Sequence, residues 1–113
     1  MEISLFRKLI PFLKYTNMVY LQGWGEPLLN NDIFEMIRIC KKHGKCVGFT
    51  TNGMLLTEDV IRRLVSLELD IIGVSLAGTT AATHNQIRKG TDFNQLVDNL
   101  ELLRKIKAEN KTR

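Results

Sequence analysis

The segment Cys-Val-Gly-Phe-Thr-Thr at residues 46–51 is almost continuously apolar or β-favouring. Similar short runs lie on either side of it, Met-Val-Tyr-Leu at 18–21 and Ile-Ile-Gly-Val-Ser-Leu at 71–76. Runs that do not alternate between apolar and polar residues are typical of strands in a parallel sheet with both faces covered. The runs are spaced at slightly less than the length of a βαβ unit, about 30 residues. We therefore predict three parallel strands.

Amphipathic segments fill the intervals between these runs. Residues 31–43 have apolar side chains at helical spacing, and Asn30 or Asn31 is a suitable N-cap for them. Residues 58–67 form a second such segment, preceded by Thr57, which is also a good N-cap. Both segments are predicted to be helices that connect successive strands.

Two further helices are predicted at the ends of the chain. Residues 3–14 form a leading helix that Pro11 kinks or ends, within a leading region of 1–17. The last helix starts near Asp92, and the three βα units end at 108, before a frayed tail over 109–113. Strands that alternate with helices in this way indicate an α/β fold with right-handed crossovers.

The length, composition and charge of the chain restrict the classes of protein to which it can belong. The 113 residues suffice for one modest domain, and 44% of them are hydrophobic. The net charge of +4 comes from basic residues scattered over predicted helix faces, so we expect no nucleic-acid partner. Neither a signal peptide nor a membrane-spanning run is visible, and we expect a cytoplasmic protein. Cys40 and Cys46 have no zinc or cluster spacing and are interpreted as buried thiols in a reducing compartment.

An unusual polar or glycine-rich cluster follows each predicted strand. These clusters are Gln-Gly-Trp-Gly-Glu-Pro at 22–27, Thr-Asn-Gly at 51–53 and Ser-Leu-Ala-Gly at 75–78. Because parallel α/β folds bind ligands beyond the carboxyl ends of their strands, all three clusters should lie on one rim. Their coincidence indicates a binding site more strongly than any one cluster does.

The first cluster has both a binding and a structural interpretation. Gly23 and Gly25 let a ligand approach the backbone, and the Glu26 carboxylate, followed by the rigid Pro27, can receive an ammonium group. A simple βα turn with a solvent-facing glutamate is the alternative.

The other clusters have similar alternatives. Thr51 and Asn52 can hydrogen-bond a ligand or form an ordinary turn, and Ser75 can bond a ligand or nearby backbone. Arg88 can clamp a carboxylate or remain a surface arginine. His84 is interpreted as structural, because no metal-ligand partner has suitable spacing. Walker A, dinucleotide-binding and nucleophile-elbow motifs are absent from the sequence.

Together the clusters resemble motifs of radical S-adenosylmethionine (SAM) enzymes. Residues 21–29 resemble the Gly-Gly-Glu-Pro motif, and residues 49–53 resemble the Thr-Asn-Gly strand end. Residues 72–78, continued by His84, Arg88 and the following Gly and Phe, resemble a Ser-Leu-Asp-Gly…His…Arg run. This run is found in the branch that includes molybdenum-cofactor-synthesis proteins and peptide- or sulfatase-maturing enzymes.

The resemblance implies a fold, two cofactors and a set of roles. The chain would be a fragment of a partial TIM-like (β/α)6 barrel. Glu26 and the Gly25 backbone would hold the SAM amino group, Ser75 the ribose or carboxylate, and Arg88 the carboxylate, while Thr51 and Asn52 would line the floor. In complete family members, a 4Fe-4S cluster reductively cleaves SAM to a 5′-deoxyadenosyl radical.

The departures from the family pattern are equally informative. The Cys-x3-Cys-x2-Cys cluster loop is absent, Trp24 replaces the first glycine of the Gly-Gly-Glu triplet, and Ala77 replaces an aspartate. We therefore expect a SAM-binding fragment that is inactive alone, with no catalytic and no metal-binding residue of its own. A degenerate half-barrel that serves as a binding or assembly module is the alternative. Exposed sheet edges would favour a homo-oligomer, or pairing with the missing barrel portion or a companion chain.

Overall fold

The computed structural model describes residues 1–110 and contains one three-stranded parallel sheet. Its strands are β1 (Met18–Tyr20), β2 (Cys46–Thr51) and β3 (Ile71–Val74), arranged in that order across the sheet. The β1–β2 and β2–β3 pairs are both parallel. The α/β class and the three predicted strands are thus confirmed.

Within residues 1–110, five α-helices and two short 3-10 helices connect and flank the strands. The α-helices are α1 (Ile3–Arg7), α2 (Ile33–Lys42), α3 (Glu58–Ser66), α4 (Ala81–Ile87) and α5 (Phe93–Glu109). The 3-10 helices span Ile10–Tyr15 and Pro27–Leu29. None of the helices within residues 1–110 combines the length and hydropathy needed to cross a bilayer.

The predicted starts of α3 and α5 are confirmed, because in both helices the N-cap side chain accepts a hydrogen bond from the first turn of its own helix. Thr57 Oγ1 accepts a hydrogen bond from Val60 N at 3.4 Å, and Asp92 Oδ1 accepts one from Gln95 N at 3.0 Å. The predicted cap of α2 is wrong. Asp32 occupies the N-cap position, but its carboxylate accepts instead from Ile3 N at 3.0 Å. Asn30, one of the two predicted caps, accepts from Asp32 N at 3.0 Å, one residue before the helix begins.

The two chain ends also differ from the prediction. The leading segment 3–14 is not one helix, because α1 ends at Arg7 and a 3-10 helix with Pro11 near its start follows. The last helix extends to Glu109, beyond the predicted end of the βα units. The rest of the predicted frayed tail, residues 111–113, lies outside the described residues.

The hydrophobic core lies on one face of the sheet only. Val47 and Phe49 of β2 are fully buried and belong to one cluster with apolar side chains of α2 and α3. Strand residues two apart point to the same face, so the residues between them point the other way. This second face is called the open face, because Met18, Tyr20 and Ile71 on it are each about 40% exposed.

Two glycines let a tyrosine lie across the open face. A Cβ at Gly48 would lie 3.0 Å from Tyr20 Cε2, and one at Gly73 would lie 3.2 Å from Tyr20 Oη. The Tyr20 hydroxyl is 2.7 Å from Thr50 Oγ1. Side chains at either glycine would therefore displace the ring, which spans from β1 over β2 towards β3.

Asp70 joins the amino-terminal ends of the strands to α2. Its carboxylate accepts from Lys41 Nζ at 2.8 and 2.9 Å and from Val47 N at 2.7 Å. Partial burial alone would raise the pKa of Asp70, but the hydrogen bonds from Lys41 and Val47 outweigh it and lower that pKa.

Asp70→Asn is expected to lower the free energy of unfolding by about 1 kcal/mol near neutral pH. Because the folded pKa is depressed, the carboxylate contributes fully above its unfolded pKa of about 3.9 and loses its contribution as pH falls through the folded value. Urea denaturation over this range measures the effect. As pH falls, the free energy of unfolding should decrease less in the variant than in the wild type. The exposed control Asp98→Asn should lose as much stability as the wild type. Equal pH dependence in Asp70→Asn and the wild type would contradict the assignment.

Candidate functional site

The loop after β1 is exposed and built around glycines. Gly25 has a φ of 94°, which other residues rarely adopt, and no atom lies within 4 Å of a Cβ placed at Gly23 or Gly25. The Trp24 side chain between them is fully exposed. Gln22 continues the strand pairing, because its Oε1 accepts from Thr50 N at 2.9 Å. The backbone of this loop is therefore accessible from solvent.

Glu26 ties this loop to the end of β2. Its Oε1 accepts from Thr51 Oγ1 at 2.6 Å and from Leu28 N at 3.2 Å, while its Oε2 accepts from Asn52 N at 2.7 Å. All three partners donate, which suits an ionised carboxylate. Oε2 receives one of these bonds and so keeps a lone pair for a further donor.

The Thr-Asn-Gly turn is anchored from beneath. Thr51 is 1% exposed, and its hydroxyl also accepts from Gly53 N at 3.0 Å. Asn52 is half-buried and closes a turn by accepting from Met54 N at 2.9 Å. Of the two residues predicted to line a floor, Thr51 is buried and its hydroxyl supports Glu26, whereas Asn52 is partly accessible.

The end of β3 joins the same group. Ser75 N donates to Thr51 O at 2.9 Å, and Ser75 is half-buried. Hydrogen bonds therefore run without a break from Glu26 through Thr51 to Ser75, across all three strand ends. The structure brings these predicted site residues, together with Asn52, into one contiguous rim.

Arg88 is linked to this rim indirectly. It is exposed at the end of α4, where its N–H donates to His84 O at 2.8 Å. His84 in turn contacts the backbone of Ala77, two residues after Ser75, at 3.3 Å. Within residues 1–110 the Arg88 guanidinium forms no ion pair, so it is available to an anion.

A cavity of about 380 Å³ adjoins the glycine loop on the β1 side of the sheet. Its lining includes four of the predicted site residues, Gly23, Gly25, Glu26 and Pro27, but not Thr51, Asn52, Ser75 or Arg88. Glu26, Asn52 and Ser75 therefore share a rim, but only predicted residues of the first loop line this cavity.

The cysteines do not fit an iron–sulfur cluster. The sequence contains two, fewer than the three of the Cys-x3-Cys-x2-Cys pattern, and their Cys-x5-Cys spacing does not match that pattern. Cys40 is fully buried in the core, and burial raises the pKa of its thiol. No group of three His, Cys, Asp or Glu side chains in residues 1–110 could hold a metal ion.

Two residues beside the rim, Gln22 and Tyr20, received no site role from the sequence. The side chain of Gln22 binds the backbone of β2, and Tyr20 and Thr50 form the hydrogen-bonded pair on the open face. The two-residue period of a strand could have placed Tyr20 and Thr50 on one face with Asn52 and Gln22. That signal was hidden, because the runs were apolar enough to predict burial on both faces.

Known proteins are similar to this chain in sequence. The chain matches the family described as the radical SAM superfamily over residues 6–113. It is 35% identical over 82 residues to the tungsten-containing aldehyde ferredoxin oxidoreductase cofactor-modifying protein of Pyrococcus furiosus, covering 67% of this chain and 22% of that protein.

Two further relatives are similar in extent. An AdoMet-dependent heme synthase of Methanosarcina barkeri is 35% identical over 88 residues, which are 77% of this chain and 25% of that protein. A mycofactocin maturase of Mycobacterium tuberculosis is 33% identical over 81 residues, 72% of this chain and 21% of its own length. The chain therefore matches about a fifth to a quarter of the length of these relatives.

Proposed function

The chain belongs to the radical SAM superfamily, and from this premise we propose that its three strand-end loops form part of a SAM-binding site. The intact family uses SAM and a 4Fe-4S cluster. In the proposal the chain is a segment of the family's barrel-like domain, with the open face turned towards the interior. The observation that carries the proposal is the unbroken hydrogen-bond path from Glu26 through Thr51 to Ser75.

The chemistry of the rim suits the two charged ends of an amino acid. The free lone pair of Glu26 Oε2 and the exposed backbone of Gly23 and Gly25 can accept hydrogen bonds from an ammonium group. The Arg88 guanidinium, which has no ion-pair partner in the described part of the chain, can bind a carboxylate. Ser75 and Asn52 add neutral hydrogen-bonding groups for a ribose. SAM combines an ammonium group, a carboxylate and a ribose in one molecule. When bound, it supplies the family's source of a carbon radical.

The chain's own residues would bind and orient SAM. Glu26 has a double role, because the same carboxylate that accepts from the ligand also fixes the β2 turn that presents Asn52. The iron–sulfur cluster does not fit the residues of this chain, and we assign no step to it here.

Titration of the 15N-labelled chain with SAM, followed by amide NMR spectra, tests the proposal. We expect shifts concentrated at Gly25, Asn52 and Ser75, because these backbones surround the proposed ligand. Arg88→Ala should weaken binding about tenfold, as expected for the loss of one charge-assisted hydrogen-bonded pair.

Lys89→Ala is the matched control, since it removes the same charge from the next exposed position and should leave affinity unchanged. Absence of shifts at millimolar SAM would contradict the proposed function. Equal weakening by both variants would contradict the role of Arg88, because a general loss of positive charge would then explain it.

We also propose that the chain self-associates. Both β1 and β3 are edge strands with unpaired backbone groups, and the open face carries exposed apolar side chains. Light scattering at high micromolar concentration should give a mass above that of the monomer. Ile71→Lys places a charge on the open face of an edge strand and should restore the monomer. A monomeric wild type would contradict this proposal.

A further inference from the structure

We propose that His84 is a positioning residue of the SAM site, which in one neutral tautomer clamps the backbone near Ser75 to the backbone of Arg88. The inference deepens the proposed function and rests on it. It concerns the segment 75–92, which contributes two of the proposed ligand-binding residues. Ser75 N ties the start of this segment to β2, and Asp92 N, 3.3 Å from Met54 Sδ, ties its end to the β2 turn.

The ring of His84 connects the two parts of this segment. His84 Nδ1 lies 3.3 Å from Ala77 N, and Nε2 lies 3.0 Å from Thr91 Oγ1. Thr91 Oγ1 in turn donates to Arg88 O at 2.7 Å. A single imidazole thus bridges the loop after β3 and the end of α4.

The donors and acceptors in this chain permit one proton arrangement. The Ala77 N–H can only donate, so Nδ1 must carry a free lone pair. The neutral ring then has its proton on Nε2 and donates it to the Thr91 hydroxyl, whose own proton goes to Arg88 O. Every group is satisfied in this arrangement, whereas a proton on Nδ1 would point at the Ala77 N–H.

Packing holds the ring in place. His84 is 0% exposed, and its ring centroid lies 5.6 Å from that of Phe93 at a tilt of 54°. The loop approaches α4 closely, because a Cβ at Gly78 would lie 2.8 Å from the Thr83 side chain and 3.2 Å from His84 N. Both ring nitrogens have hydrogen-bond partners inside this packed site. A phenyl ring of similar size could fill the space but could not form these hydrogen bonds.

The tautomer can be observed in the unmodified chain without any ligand. A long-range 1H–15N spectrum of His84 near neutral pH should show a protonated Nε2 and a bare Nδ1, and the Ala77 amide should exchange slowly. A proton on Nδ1, or a fast-exchanging Ala77 amide, would overturn the proposal.

Two variants separate positioning from packing. His84→Phe keeps an aromatic ring but leaves the Ala77 N–H without its partner, and it should weaken SAM binding about tenfold and speed exchange of the Ala77 amide. His84→Asn can restore an acceptor at the position of Nδ1, and it should recover most of the affinity and the amide protection. Equal effects of the two variants, or stronger binding by the phenylalanine variant, would overturn the proposal.

Failure of this inference is distinguishable from failure of the proposed function. If the wild-type chain shows no SAM-dependent shifts, the proposed function fails, and so does the placement of His84 in a SAM site. If SAM binds at the rim but the tautomer is wrong, or the two variants behave alike, the positioning role alone fails. Thr91→Val removes the hydrogen-bond partner of His84 Nε2 and leaves the ring in place. Amide exchange should become faster near Arg88 and stay slow at Ala77. Faster exchange at both positions would contradict the clamp.

Discussion

Gly53→Ala is expected to lower the free energy of unfolding by about 3 kcal/mol. The φ of Gly53 is 82°, a conformation that costs an L-residue about 1–2 kcal/mol. A Cβ there would also lie 2.2 Å from Leu96 Cδ1, and Leu96 is fully buried, so its side chain has little room to move. Overpacking of this kind costs about 1–3 kcal/mol more.

The matched control for this substitution is Gly90→Ala. Gly90 has nearly the same φ, 85°, but no atom lies within 4 Å of its Cβ position. Its replacement should therefore cost only the backbone term of about 1 kcal/mol. Urea denaturation followed by far-UV circular dichroism measures both variants. Trp24 is a poor fluorescence probe here because it is already fully exposed. Equal losses would contradict the clash with Leu96.

A double variant tests the same contact from the other side. Leu96→Ala removes the methyl group that the new Cβ would strike, so Gly53→Ala should cost less in that background than alone. The Gly53 carbonyl also accepts from Asn99 Nδ2 at 2.8 Å, which joins the turn to α5. Gly53 thus determines how closely the Thr-Asn-Gly turn, and with it Asn52, lies against α5. Additive losses in the double variant would show that packing against Leu96 is not involved.

Glu26→Gln is expected to lower the free energy of unfolding by about 2 kcal/mol. The carboxylate accepts from three donors, Thr51 Oγ1, Asn52 N and Leu28 N. An amide offers one oxygen only, and its NH2 group must face at least one of these donors. The β1 loop and the β2 turn should therefore loosen together, which urea denaturation and the amide exchange of Asn52 can measure.

Glu35→Gln is the control, because it makes the same chemical change on the surface. Glu35 pairs with Arg38 and lies 3.8 Å from Arg7, and such exposed pairs contribute little, about 0.5 kcal/mol. A similar loss in both variants would contradict the bridging role of Glu26. Because Glu26→Gln perturbs the turn itself, its effect on SAM affinity should exceed that of Arg88→Ala.

The parts of the fold that depend on neighbouring residues were predictable from the sequence. The apolar runs located all three strands, and Thr57 and Asp92 were correctly identified as N-caps. Gly44, directly after the C-cap of α2, has a φ of 67°, the left-handed conformation that glycine commonly adopts after a helix. Each of these features is decided by side chains and backbone groups within a few positions, so their order along the chain carries enough information.

Tertiary structure decided the features that join distant positions. Asp32 accepts from Ile3 N instead of its own helix. Glu26 accepts from groups 25 and 26 residues ahead as well as from a neighbour, and Thr51 is buried. The sequence indicated by itself which polar groups gather at the strand ends. The sheet register and the packing of the helices decide which of these groups hydrogen-bond to each other and which stay available to a ligand. Hydrogen bonds form only between groups that the folded chain brings within about 3 Å.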